Sequence, residues 1–320
     1  MDRENLISVN AVYRYYGDHC AVNNVSFNVE RGEVLGFLGP NGAGKSTTMQ
    51  IISGVMTASS GSVTIAGFDI IENPRPAKKQ IGFLPEQPPL YPDLTVDEYL
   101  RYAAQLRGLD RNAAALAAHQ SKQRCGLENS GRRLIGNLSK GYQQRVGIAQ
   151  AIIHTPAVIV LDEPTAGLDP IQIREIRQLI KELGADHSVI LSTHILPEVQ
   201  AVCNRVLIIH EGRLVLDKKL DSMRLGGQMQ KMEITFKRPP STGALAAIAG
   251  MDSVEQLDPT RFLIRFAGDA DTLDILVQRA SGSCWGLCAM VPETDSLEET
   301  FVRLTSTEPA DTSASAGVAP

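Results

Sequence analysis

The sequence predicts an α/β protein built on a mainly parallel sheet buried on both faces, followed by a small α+β domain. Three observations carry this reading. Between Leu6 and about Arg224, short apolar runs alternate with helical periods. The runs Val34–Leu38, Val158–Leu161, Val189–Leu191 and Val206–Ile209 are continuous rather than alternating, which is the pattern of strands covered on both sides. The first run ends in a glycine-rich loop followed by residues able to begin a helix at Thr47–Ile52. From about Gln228 the pattern restarts, and Met232–Phe236 and Arg261–Phe266 alternate like half-buried strands.

The helical parts follow in order. From Pro88 to about Leu138 the character turns helical. Thr95 with Glu98 reads as a capping box that opens a helix through Tyr99 and Leu106, and the alanine-rich residues 113–118 continue it. This segment, about residues 88–145, reads as a helical subdomain inserted into the sheet domain, which spans residues 1–225. Between Ile171 and Leu183, Ile173, Ile176, Ile180 and Leu183 share one helical face. In the second domain, residues 228–305, Leu273, Leu276, Val277 and Ala280 mark one helix face. A second capping box, Ser296 with Glu299, precedes Leu297, Phe301 and Leu304 at helical spacing. Residues 306–320 lack aromatics, are rich in Ser, Thr, Ala and Pro, and are expected to be a disordered tail.

Composition narrows the function classes. The net charge of -5 argues against a broad nucleic-acid-binding surface, so no nucleic-acid partner is expected. The charged start, Met1–Leu6, has no apolar stretch behind it, and no signal peptide is expected. The longest charge-free apolar region, Val146–Leu161, contains Gln150, His154 and Pro156 and is too short to span a bilayer. Five widely spaced cysteines suit reduced thiols in the cytosol, and the pair Cys284 and Cys288 has no second ligand pair nearby to make a metal site.

The chemistry concentrates in two motifs. Gly39-Pro40-Asn41-Gly42-Ala43-Gly44-Lys45-Ser46-Thr47 fits the phosphate-binding pattern GxxxxGK[ST]. Its glycines let successive backbone N–H groups turn inward around a phosphate, and the helix that follows points its positive end at the anion. Lys45 is placed to reach β- and γ-phosphates, and the Ser46 hydroxyl to hold Mg²⁺. The run Val158–Leu161 ends in Asp162 and Glu163. Asp162 suits a magnesium ligand, and Glu163 suits a general base that polarises the attacking water.

Between these motifs, Leu138-Ser139-Lys140-Gly141-Tyr142-Gln143-Gln144-Arg145 resembles the LSGGQ-type signature of the ABC ATPases. Lys140 stands where the first glycine of the central pair is usual. The resemblance covers about residues 6–220 and implies the ABC ATPase fold, with an antiparallel β subdomain and a helical subdomain around the parallel core. It implies ATP and Mg²⁺ as ligands. It also implies that Ser139 and Gly141 contact the γ-phosphate bound to the opposite protomer, so that the site forms only in a dimer. Tyr16 falls where the family stacks an aromatic on adenine, with Tyr13 and Tyr15 as close rivals. Ala166–Asp169 is similar to the D-loop, and Ser192-Thr193-His194 to the switch segment whose histidine contacts the γ-phosphate. The Q-loop glutamine of the family falls at Glu86, with Gln87 beside it, and the sequence leaves both open.

The function implied is that of the ATP-hydrolysing motor of a transporter, closest to the gliding-motility and multidrug exporter group. It would work as a homodimer, or as a heterodimer with a related ATPase, bound to integral membrane permease subunits at the cytoplasmic face of the inner membrane. The alternative is a soluble ABC ATPase of translation, DNA repair or cofactor assembly. Against it, the sequence carries one cassette and no long coiled coil. No NKxD segment follows the phosphate loop, which disfavours a GTPase. The second domain, with no convergent polar motif, is expected to regulate or dimerise rather than catalyse.

Overall fold

The computed structural model describes residues 5–220, 229–267, 270–293 and 297–305. The chain divides into two compact units, Met1–Lys218 and Lys219–Pro320.

The first unit opens with the long strands β1 (Asn5–Tyr16) and β2 (His19–Glu30), then β3 (Val34–Leu38) and helix α1 (Lys45–Ile52). Strands β4 (Ser60–Ile65) and β5 (Phe68–Asp69), helix α2 (Pro74–Lys79) and β6 (Ile81–Leu84) follow. Helices α3 (Val96–Leu106), α4 (Arg111–Arg124) and α5 (Lys140–Ile152) form the helical region. The rest alternates: β7 (Val158–Asp162), α6 (Pro170–Asp186), β8 (Ser188–Thr193), α7 (Leu196–Val202), β9 (Arg205–His210) and β10 (Arg213–Lys219).

Two sheets result. One is four-stranded in the order β2-β1-β4-β5, with antiparallel pairs; the other is six-stranded in the order β10-β9-β3-β8-β7-β6. The pairs β3–β8, β3–β9, β7–β8 and β6–β7 are parallel. Every residue of β3, β7 and β8 is buried, as expected for strands covered on both faces.

The period of two along these strands sorts their side chains into two cores. Val158 and Val160 of β7 and Ile190 of β8 join Phe37, Met49 and residues of β1, β2 and β4. Ile159 and Leu161 of β7, with Val189 and Leu191 of β8, join the inward faces of α3, α5 and α6. Of the α6 stripe, Ile176, Ile180 and Leu183 are buried, with Leu179 beside them.

Local signals fix the helix starts. Thr95 and Glu98 make the capping box of α3: the Thr95 hydroxyl accepts from the Glu98 N–H, and the Thr95 N–H donates to the Glu98 carboxylate at 2.8 Å. That carboxylate is held below its usual range by the Thr95 backbone and hydroxyl donors. Asp97 of the same first turn pairs with Lys122 of α4. Asp110 caps α4 and Asp169 caps α6, each through a side-chain oxygen that accepts two backbone N–H groups.

The second unit contains β11 (Met229–Phe236), α8 (Thr242–Ala246), β12 (Met251–Gln256), β13 (Arg261–Ala267), α9 (Ala270–Gly282), β14 (Leu287–Glu293) and α10 (Leu297–Thr305). Its sheet order is β12-β13-β11-β14, and the neighbouring strands are antiparallel. This is a split βαββαβ arrangement, since β13 lies between β11 and β12. Met232, Ile234, Phe236, Phe262, Ile264 and Phe266 supply its core. On α9, Leu276 and Ala280 are buried and Leu273 packs against that core, but Val277 is 41% exposed and leaves the expected stripe. Ser296 of the second expected capping box and the expected tail at 306–320 lie outside the described residues. Cys284 and Cys288 are exposed, and no group of three or more metal-binding side chains occurs among the described residues. No helix there is long and apolar enough to cross a membrane.

Candidate functional site

The loop between β3 and α1 is shaped by its glycines. Gly44 has φ +99, and a Cβ there would run into the Ala21 carbonyl, so neither the conformation nor the space admits a side chain. Gly39 is similarly confined: a Cβ would strike the Ile209 carbonyl of β9. The loop therefore sits tight against the ends of β2 and β9, with the first turn of α1 directly beyond it.

Lys45, the first residue of α1, is only 6% exposed. Its ammonium donates to the carbonyls of Gly39 at 2.9 Å and Pro40 at 3.1 Å, and lies 3.5 Å from a Glu163 oxygen. The loop thus folds back over its own lysine and holds the cation at the mouth of the site.

The C-terminal ends of β7 and β8 bring the acidic groups and the histidine in. Asp162 ends β7 and is 2% exposed, and its Oδ1 has no hydrogen-bond partner. Burial pushes its carboxyl above the usual range, the nearby charges of Glu163 and Glu86 act in the same direction, and the neighbouring Ser192 and Ser46 hydroxyls oppose it. A buried carboxylate oxygen without a donor, beside the Ser46 hydroxyl, is an arrangement that a hard divalent cation satisfies. These two side chains therefore fit Mg²⁺.

Glu163 is buried and adopts φ 47, in the left-handed region that non-glycine residues rarely enter. Its N–H donates to the Ser192 carbonyl of β8 at 2.9 Å. Its carboxylate accepts from His194 Nδ1 at 2.9 and 3.0 Å. Glu163 is thereby suspended between Lys45 and His194, a carboxylate pinned by two cation-capable groups and facing the cleft.

That cleft has a volume of about 470 Å³, and Tyr16, Asn41, Gly42, Gly44, Lys45, Ser46, Thr47, Glu86, Glu163 and His194 line it. Of the two residues that the sequence leaves open, Glu86 lines the cleft and Gln87 does not. Tyr16 reaches the cleft, whereas Tyr13 and Tyr15 stack on each other with ring centroids 6.3 Å apart. The Tyr16 ring is backed by the Arg14 guanidinium 4.9 Å from its centroid, and its hydroxyl donates to Met56 Sδ at 3.0 Å. His19 and Ala21 also line the cleft and were not singled out from the sequence. Their signal is the tight turn that returns β2 past Tyr16, where Tyr16 pairs with His19.

Other expected residues lie elsewhere in the single chain. Gly39, Pro40 and Ala43 belong to the loop but do not line the cleft. Ser139 caps α5 through its hydroxyl, which accepts from the Tyr142 N–H, and Gly141 packs against Gln172 of α6. Asp169 is occupied as the cap of α6. The three lie outside the cleft lining. Lys140 lays its ammonium against Gly167, so the segment similar to the signature and the one similar to the D-loop touch within one protomer.

Comparison with known proteins agrees with this geometry. Residues 22–166 match the family model described as ABC transporter. The chain is 40% identical over 218 residues to the ABC transporter ATP-binding protein NatA of Bacillus subtilis, covering 68% of this chain and 89% of that protein. It is 36% identical to the bacitracin transport ATP-binding protein BcrA of Bacillus licheniformis, over 68% of this chain and 71% of that one. Among solved structures, the dimeric ATP-binding cassette MJ0796 in a post-hydrolysis state bound to ADP and Pi superposes with a TM-score of 0.61 at 27% identity, covering 67% of this chain and 98% of the other. The phosphate loop, the buried acidic pair and these relatives together establish that the chain belongs to the ABC transporter family as an ATP-binding subunit, an ATPase that powers transport.

Proposed function

We propose that the cleft binds ATP·Mg²⁺ and that Glu163 is the general base of hydrolysis. The observation that carries this reading is the placement of the Glu163 carboxylate, 3.5 Å from the Lys45 ammonium and 2.9 Å from His194 Nδ1. Tyr16 stacks on the adenine, and the backbone N–H groups of the loop Gly39–Thr47, which all but Pro40 possess, cradle the phosphates. Lys45 turns from its loop carbonyls to the β- and γ-phosphates. Ser46 and Asp162 hold Mg²⁺, which when bound neutralises phosphate charge. Glu86 faces the same cleft and positions water. Glu163 takes the proton of the attacking water, and the His194 Nδ1–H orients the carboxylate while the other side of the ring faces the γ-phosphate.

Ser139 and Gly141, away from the cleft of their own chain, complete the cleft of a second protomer, with Asp169 beside the dimer axis. A homodimer, or a heterodimer with a related ATPase, is the working form; the dimeric relative supports this. Export is the direction proposed, with a place in the exporter group, and a protein named for bacitracin transport is among the relatives of the chain. Integral permease subunits then hold the dimer at the cytoplasmic face of the membrane, and the α3–α5 region passes motion to them. The second unit regulates or dimerises.

The test is Glu163→Gln, which keeps size and hydrogen bonding but removes the base. Its ATPase rate is expected to fall about a hundred- to ten-thousand-fold, with ATP affinity retained and an ATP-bound dimer accumulating in light scattering. Hydrolysis at the parent rate would sink the assignment and make His194 the first candidate.

A further inference from the structure

The loops that carry Glu163 and His194 are joined at a third residue, Glu198, in the first turn of α7. Glu198 is 1% exposed and belongs to neither the cleft lining nor the phosphate loop. Its Oε1 accepts a short hydrogen bond of 2.5 Å from the Thr165 hydroxyl, and its Oε2 accepts one of 2.9 Å from the Thr193 hydroxyl. Both threonines are buried. The Arg177 guanidinium of α6 lies 3.8 Å from the same Oε1. A carboxylate gathers these donors where no neutral residue of its size accepts as many.

Each bond acts on a residue of the cleft. The Thr193 hydroxyl, while donating to Glu198, accepts from the Ile195 N–H at 3.1 Å. It therefore closes a small ring around His194, which stands between the two. Thr165 follows Glu163 by two residues, inside a turn closed by the Ala166 N–H and the Glu163 carbonyl at 3.1 Å. Glu163 is the residue at φ 47. A non-glycine residue persists in that region only where its surroundings over-determine it. One side of that constraint is the bond from its N–H to Ser192; the other is the anchoring of Thr165.

We propose that Glu198 is a positioning residue for ATP hydrolysis: through Thr165 and Thr193 it holds the Glu163 carboxylate and the His194 ring in register. It lies outside the cleft lining, and the inference rests on the reading of Glu163 as the base. A displacement of about 1 Å in such a constellation costs about a hundredfold in rate. Nucleotide capture is carried by the phosphate loop and Lys45, which make no contact with Glu198.

The experiment measures kcat, KM and equilibrium ATP affinity for Glu198→Ala, Thr165→Val, Thr193→Val and Thr193→Ser, with Glu163→Gln in the same series. Glu198→Ala is expected to lose about ten- to a hundredfold in kcat, with ATP affinity within about twofold of the parent. The two valine variants keep side-chain shape, so they read out the hydroxyls even if Glu198→Ala fails to fold; each should lower kcat without raising KM. Thr193→Ser, which restores the hydroxyl, should return near the parent rate. In the Glu198→Ala background, Thr193→Val should cost less than it does alone, since the bond is already gone. Parent kcat in Glu198→Ala and both valine variants, or affinity falling in step with kcat, would overturn the proposal. Loss in Glu163→Gln with no loss in the Glu198 series would remove this inference alone. Parent activity in Glu163→Gln would remove the base assignment and this inference with it.

Discussion

At the scale of single residues, the motif positions were legible because their chemistry is local. A phosphate loop needs its glycines and lysine within one turn of chain, and Asp162 and Glu163 are adjacent at a strand end. Glu198 was not legible, because its partners Thr165, Thr193 and Arg177 come from three separate segments. Which of Glu86 and Gln87 lines the cleft was hidden for a different reason. Beyond Leu84 the chain leaves the ladder, so the strand period no longer dictates which side chain points at the cleft. One buried titratable residue yields a prediction here. His154 Nε2 lies 3.1 Å from the Ile81 carbonyl, and burial, aided by the Arg107 charge, depresses its pKa to about 4. The folded chain then binds fewer protons than the unfolded chain between the ordinary imidazole value of 6.5 and about 4. Stability is therefore full above the unfolded value and is lost as pH falls through that window. Urea midpoints measured at pH 7.5 and pH 5 should differ less for His154→Gln than for the parent. An equal difference would show that other groups carry the acid sensitivity.

At the scale of elements, the continuous apolar runs identified β3, β7, β8 and β9, and the capping box identified α3. The antiparallel sheet was invisible to periodicity. Its strand β1 breaks the period of two, with register shifts between Val9 and Val12 and a positive φ of 44 at Ala11. On α9 the periodicity placed Val277 in the stripe, but the helix turns it outward at 41% exposure, because Leu276 and Ala280 already fill the contact with the sheet. The α3 start can be weighed directly. Thr95→Ala removes a cap and should cost about 1 kcal/mol in chemical denaturation. Removing the partner with Glu98→Ala should cost no more on top, because both belong to one box. Fully additive losses would mean that Glu98 stabilises the helix by another route.

At the scale of the whole molecule, the two units have separate cores and the cleft lining comes from the first alone. A chain ending at Arg224 should therefore bind ATP within about twofold of the full chain, a difference of roughly 0.4 kcal/mol. If the shortened chain folds but has lost its affinity, the second unit supports the cleft, and the division of labour proposed here is wrong. The net charge of -5 read from composition concerns the molecule's average, yet the cleft itself concentrates both signs, with Lys45, Glu163, Glu86 and His194 on its walls.

The folded-back position of Lys45 also bears on turnover. Its ammonium already has the Gly39 and Pro40 carbonyls and the Glu163 carboxylate within 3.5 Å. On the proposed reading of the cleft, an incoming phosphate would exchange places with these oxygens, so part of its attraction would be spent on that exchange. The protein carries its own competitor for its own ligand.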